Sequence, residues 1–328
     1  VAPLAPLTLG RFFTVWRFDP WATLVIVALL AAYGVGMRSA RRRGRPWPLR
    51  RLAGFSVLGI GTLAISTMSS LPVYSRVLMW PAALQVTVLL TVVPVGLGLG
   101  DPLGLVTAAL PPGGAARWQR ALRHPVVRVL TFPAVAPLLA VATQFLVFFT
   151  GYLGAAQRSR TVMDLLELQL VVTGCLFALP LLGVEVLPAW CTQPVRMAIA
   201  GIDGLLDAIP SIAVMTSTPL LAAGYYGTVT RTWGPTRSWD QTIGGGLMLT
   251  VAEVAAVPFI AIIYRAWIHE DAGRAAVLDR QLDVDEERRV LDARDDEGPV
   301  ADLPWWEIDP GPLRDRASRF GWQGRDTP

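Results

Sequence analysis

The sequence predicts an all-α fold: a polytopic membrane protein, a bundle of seven transmembrane helices followed by a charged cytoplasmic tail. Three observations carry this. Hydrophobic residues fill 53% of 328 positions and charged residues only 16%, against about 25% charged in soluble domains. Seven apolar runs of 18 or more residues fall within residues 1–264, each near the roughly 20 residues that cross about 30 Å of hydrocarbon as helix. The charges are also segregated: residues 1–264 hold 19 Arg and 9 acidic residues, residues 265–328 hold 10 Arg and 16 acidic residues. The short-period alternation of a membrane β-barrel is absent from the sequence. The arginines sit in short loops between apolar runs, a pattern that argues against nucleic acid as a partner and for the lipid bilayer.

In chain order, the spans are expected at about 20–37, 52–71, 77–99, 127–152, 165–187, 197–224 and 243–264, making residues 1–264 the membrane domain and 265–328 the tail. Trp16, Phe18 and Trp21 suit the interface where the first span begins. The first loop, RSARRRGRPWPLRR, carries seven Arg, and the third connection carries Arg117, Arg120, Arg123 and Arg128. The second, fourth and sixth connections carry one or two Arg each. Positive-inside bias therefore places the N-terminus outside and the tail in the cytoplasm of a bacterial inner-membrane protein. Residues 115–123 suit a basic amphipathic helix on the inner leaflet. Proline recurs inside the expected spans, at Pro94, Pro133, Pro137, Pro180, Pro210, Pro219 and Pro258, where it kinks helices. The last span is expected to be entered through a polar turn holding Gly244, Gly245 and Gly246. The tail continues as a charged helical stretch and ends in a Pro-, Gly- and Trp-rich segment with Trp305, Trp306 and Trp322, too poor in aliphatic residues for a core of its own.

Ionisable groups inside membrane spans are costly, so they are the first functional candidates. Asp203 and Asp207 lie one turn apart on the sixth span, and Glu253 lies on the seventh. Asp207 and Glu253 each fall ten residues into their spans, about 15 Å deep at 1.5 Å per residue, which places them near one level on consecutive antiparallel helices. Such carboxyls share a proton, bind a cation, or form one protonated hydrogen bond between helices. Glu167, nearer a span end, is expected to reach headgroups or water, so Glu253→Gln is expected to do more harm than Glu167→Gln. Methionines gather in the outer half, where Met79, Met215 and Met248 are candidate soft ligands for Cu(I) or else ordinary apolar filler. Histidine is confined to His124 and His269, and Cys175 and Cys191 lie 16 residues apart, roughly 24 Å along a helix and too far for a disulfide. No motif of a soluble catalytic centre is present in the sequence, and the chain is not expected to be an enzyme.

Several stretches resemble the multi-spanning CtaG-like family of cytochrome c oxidase assembly proteins. They are FDPW at 18–21, RRRGRPWPLRR at 41–51, VVPVGLGLGDPL at 92–103, GCLFALPLLGVEVLP at 174–188 and GYY at 224–226. The closing signature adds Asp240-Gln241, Gly244-Gly245, Glu253, Trp267, Glu270-Asp271-Ala272 and Asp279-Arg280. The resemblance covers residues 16–283 and implies a role in maturing haem-copper oxidases, with copper-centre assembly, copper as cofactor and oxidase subunits as partners. The family's intramembrane histidine positions are occupied here by Ala82, Val86, Glu167, Gln169 and Ile212. Two other readings remain open: a proton- or metal-coupled transporter working through the midplane carboxyls, and an accessory respiratory-complex subunit docked by its Trp-rich tail.

Overall fold

The computed structural model describes residues 4–130, 132, 135–182 and 193–296. Among them there is no strand. Helix α1 (Leu9–Thr14) precedes α2 (Pro20–Arg42), whose start is set by Pro20 at the first helical position and by Asp19, which accepts from the Ala22 N–H at 3.1 Å. There follow α3 (Leu49–Tyr74), α4 (Met79–Ala109), α5 (Pro112–Leu122), α6 (Pro125–Leu130), α7 (Val135–Phe149), α8 (Tyr152–Arg158), α9 (Arg160–Leu182), α10 (Gln193–Thr216), α11 (Ala223–Tyr226) and α12 (Arg237–Asp296). Six of these are long and apolar enough to cross a membrane: α2, α3, α4, α9, α10 and the Arg237–Arg265 part of α12. The expected fourth span, 127–152, begins on α6 and ends where α8 starts; α7 and α8 are bent by 66° at the break between them, and would make a seventh if that pair counts as one crossing.

Other departures from expectation have local causes. The three-glycine stretch is helix, not turn: α12 begins at Arg237, so Gly244, Gly245 and Gly246 lie inside it. The sixth span stops at Thr216 rather than 224, because Pro219 and a left-handed Ala222 (φ 47°) follow, and Pro219 is therefore outside the helix. The third span continues past Leu99 after a sharp turn at Asp101, also left-handed at φ 47°, whose carboxylate accepts from the Gly104 N–H at 3.0 Å and pairs with Arg51 at 2.9 Å. Pro94 enters α4 just after a π-helical stretch, Val88–Val92, and α3 carries another at Gly54–Gly61. The basic helix expected near 115–123 forms as α5, with no buried residue. Pro133, Cys191, the expected inner end of the fifth span at 183–187 and the three tail tryptophans lie outside the described residues.

Packing puts α4 at the centre. Met79, Ala82, Ala83, Val86, Leu89, Leu90, Val93 and Leu97 are all buried in the main apolar cluster. Its neighbours approach closely enough to require glycine: a Cβ on Gly96 would stand 2.3 Å from the Gly59 nitrogen of α3, and one on Gly174 of α9 2.0 Å from the Leu90 carbonyl oxygen. The outward faces are apolar, as a lipid-exposed bundle requires. On α10 the exposed stripe is Ile202, Leu205, Ile209 and Ile212, and the opposite side carries Asp207, Ser211 and Val214.

At the end where α2 begins, called the near end here, loops are stitched together. The Trp233 indole donates to the Leu4 carbonyl at 2.8 Å, Tyr226 to the Ser75 carbonyl at 2.7 Å, and the Arg17 N–H to the Met68 carbonyl at 2.7 Å. At the opposite end, Arg43 and Ser39 donate to the Ala109 carbonyl, and Trp47 donates to the Tyr33 hydroxyl, which donates to the Gly100 carbonyl. The compact membrane unit spans Val1–Trp267. A second unit, Ile268–Pro328, is described as helix through Asp296, with Val277, Leu278, Leu282 and Val284 exposed.

Candidate functional site

The closing motif is a clasp built on helical spacing. Residues four apart share a helix face, so Asp240 with Gly244 presents one side of α12 and Gln241 with Gly245 the adjacent side. Asp240 faces the start of α4: its two carboxylate oxygens accept from the Met79 and Trp80 N–H groups, both at 3.0 Å, which have no partner within their own helix. Arg231 adds an ion pair at 3.2 Å, with both side chains nearly sealed from solvent. Gln241 faces the end of α10. Its amide nitrogen donates to the carbonyls of Val214, Ser217 and Pro219, and its oxygen accepts from the Leu221 N–H at 2.8 Å. Below them the glycines allow contact: a Cβ on Gly245 would lie 2.5 Å from the Met215 nitrogen, and one on Gly244 3.2 Å from the Ala83 Cβ. All four motif residues thus join α12 to α4 and α10 at the near end.

Halfway down, Asp203 and Asp207 line a cavity of about 40 Å³ enclosed by α4, α7, α9, α10 and α12. A buried Gln144 on α7 donates its side-chain amide to Asp207 at 3.0 Å. Since one water needs roughly 10–15 Å³ measured in this way, the space takes a few waters or one small cation. Glu253 is exposed on the outer face of α12 beside Val254 and Val257. The cavity is lined from α12 by Ala252, Ala255, Ala256 and Phe259 instead. Glu167 is more buried than expected: it is only 8% exposed and accepts from the Gln85 amide of α4 at 2.9 Å. Glu253 thus lies on the exposed side of its helix and Glu167 on a buried side.

The family's histidine positions hold no soft-metal ligand set here. Ala82 and Val86 are core residues, Glu167 is bonded to Gln85, Gln169 accepts from the Tyr152 hydroxyl at 2.9 Å, and Ile212 is exposed. Met79 and Met248 pack in the apolar cluster, and Met215 is half-buried where α10 meets Gly245. Among the described residues no three of His, Cys, Asp and Glu gather as a metal site, and Cys175 is a free thiol. Copper chemistry at these positions therefore does not fit the residues present. Sequence reasoning overlooked Gln85, Gln144 and Arg231. The two glutamines were findable as polar residues inside apolar spans; Arg231 looked like one more loop arginine.

The fold and its buried polar joints define a polytopic helical membrane protein. The family described as cytochrome c oxidase caa3 assembly factor matches residues 31–270, and this chain belongs to it. Relatives include uncharacterized proteins of Mycobacterium bovis and Mycobacterium tuberculosis, each 29% identical over 287 residues, and one of Mycobacterium leprae, 26% identical over 285. The matches cover 85% of this chain but only 43% of each relative. No solved structure matches the chain.

Proposed function

We propose that the chain serves the assembly of a haem-copper cytochrome oxidase as a scaffold in the bacterial inner membrane, N-terminus outside and tail inside, and not as an enzyme. The observation that carries this reading is the family match across residues 31–270, from the first span to the end of the last. The clasp of Asp240, Gln241, Gly244 and Gly245 supports it, because these motif residues serve helix joints and supply no reactive group. Copper-centre biogenesis is the finer form of the reading and rests on family membership alone. The residues at the family's histidine positions argue for assistance to oxidase subunits over direct copper carriage.

The test is oxidase haem, copper and activity in membranes of a strain lacking this gene, beside one rescued by the intact chain. Scaffolding predicts that haem and activity fall together while copper per haem in the residual oxidase stays constant. Copper falling with haem intact would favour the copper-specific form, and unchanged oxidase would sink the assembly reading.

A second reading is favoured by the Asp203–Asp207 cavity with Gln144: a conduit for protons or a small cation. Protein reconstituted in liposomes would then carry a proton flux that Asp207→Asn abolishes; equal flux in wild type and variant would remove this reading. Docking through the Trp-rich tail concerns residues outside those described, and loss of oxidase co-purification on deleting residues 299–328 would support it.

A further inference from the structure

We propose that a second polar cavity, at the near end of the bundle, binds a phosphate group that carries its own hydrogen-bond donor, as a phospholipid headgroup or as free inorganic phosphate. The cavity, about 190 Å³, is formed where the approach to α2, the end of α3 and the start of its following loop, α8 and the first turns of α9 converge. Four arginines line it: Arg17, Arg76, Arg158 and Arg160. Only Arg160 is neutralised by carboxylates among the described residues, bridging Asp19 and Asp164. Arg158 is positioned by the Gly224 carbonyl and by the ring of Tyr225, 5.7 Å from its guanidinium, neither of which cancels its charge. The other lining acid, Glu167, accepts from the neutral Gln85 amide, so at most one further negative charge is set against the remaining three arginines. Arg17, Arg76 and Arg158 therefore leave the cavity positive, and guanidinium groups are the side chains best matched to phosphate oxygens.

The donor requirement comes from Gln157. This α8 residue lines the cavity and is only 8% exposed, yet its side-chain oxygen is buried with no partner. Its amide nitrogen faces the Tyr226 hydroxyl in a long contact of 3.5 Å, and that hydroxyl's own proton goes to the Ser75 carbonyl at 2.7 Å. Burial raises the Tyr226 hydroxyl well above its ordinary range, so it stays neutral and in place at physiological pH. A buried acceptor left empty costs about 1–3 kcal/mol, so the preferred ligand presents an N–H or O–H to Gln157 as well as negative oxygens to the arginines. Phosphoglycerol and phosphoethanolamine headgroups do this, and so does hydrogen phosphate. Phosphocholine and sulfate offer anionic oxygens but no such donor. The cavity also sits at span ends, the level of lipid headgroups.

The test uses the full chain, purified in detergent and delipidated. Native mass spectrometry compares retention of phosphatidylglycerol, phosphatidylethanolamine and phosphatidylcholine, and thermal unfolding compares inorganic phosphate with sulfate at equal ionic strength. The first two lipids should be retained about tenfold better than the third, one satisfied buried hydrogen bond being worth about that factor. If phosphate raises the unfolding temperature above sulfate with no lipid preference, free phosphate is the ligand. Arg17→Gln/Arg76→Gln should weaken every phosphate ligand, and Gln157→Met should erase only the donor preference. The exposed position of Arg76 keeps Arg76→Gln informative by itself if the other variants fail to fold. No preference in either assay, or a preference unchanged by the arginine substitutions, would overturn the proposal.

Discussion

Asp240 concentrates the most structural consequence in one side chain. It satisfies two helix-start N–H groups and a buried arginine together, so Asp240→Ala leaves Arg231 unpaired as well as uncapping α4. Removing one partner of a buried pair costs about 3–5 kcal/mol; Asp240→Asn also leaves the Arg231 charge unpaired but keeps one capping oxygen, so it is expected to recover about 1 kcal/mol of that loss. Thermal unfolding in detergent should rank the variants in that order; equal midpoints would contradict the capping role. The carboxyls differ in the same concrete way. Glu167→Leu strands the Gln85 amide and should destabilise by about 1–3 kcal/mol, Glu167→Gln can still accept from it, and Glu253→Gln disturbs no described hydrogen bond. A lower unfolding midpoint for Glu253→Gln than for Glu167→Leu would reverse this assignment.

Between elements, the seams are decided by where a methyl group fits. Adjacent glycines of α12 give an internal control: a Cβ at Gly245 meets the backbone of α10 at 2.5 Å, whereas one at Gly246 meets nothing within 4 Å. Gly245→Ala should therefore push the helices apart at about 1–3 kcal/mol. Gly246→Ala should be neutral or stabilising by up to about 1 kcal/mol, through helix propensity alone. The unfolding midpoints of the two variants should move in opposite directions or by clearly unequal amounts. Helicity alone does not explain this part of the motif, since one glycine is needed for contact and its neighbour is not.

For the molecule as a whole, the arginine distribution and the helix succession make one topological expectation that can be measured. Cysteines introduced at Gly10 and Gly113, where added side chains meet nothing within 4 Å, should react with a membrane-impermeant maleimide from opposite sides of sealed cells. Gly10 should label from outside and Gly113 only after permeabilisation, in a background with Cys175 and Cys191 replaced. The reverse pattern would place the arginine-lined cavity on the cytoplasmic side and turn the bundle over. Either way the cavity opens at a span end, so its proposed chemistry does not depend on the outcome.

The sequence by itself determined that this chain is a bundle of membrane helices. Apolar length and intrahelical hydrogen bonding are properties of each segment alone, and both are readable from neighbours in the chain. It also located the family motif and the acidic residues of α10. Tertiary structure decided what those residues face. Rotating a helix about its axis leaves hydropathy unchanged but exchanges inside for outside, and packing against α4 sets that rotation. That is why Glu253, central in its span, lies on the outer face, while Glu167, near a span end, is buried against Gln85. Two of the glycines read as a turn became a helix seam for the same reason, Gly245 against the backbone of α10 and Gly244 against Ala83 and Trp80 of α4, while Gly246 meets nothing within 4 Å. Arg17, Arg76, Gln157 and Arg158 come from three separate stretches, each an ordinary loop or helix end when read alone. Only the folding of α3, α8 and α9 around one space makes a cavity of them.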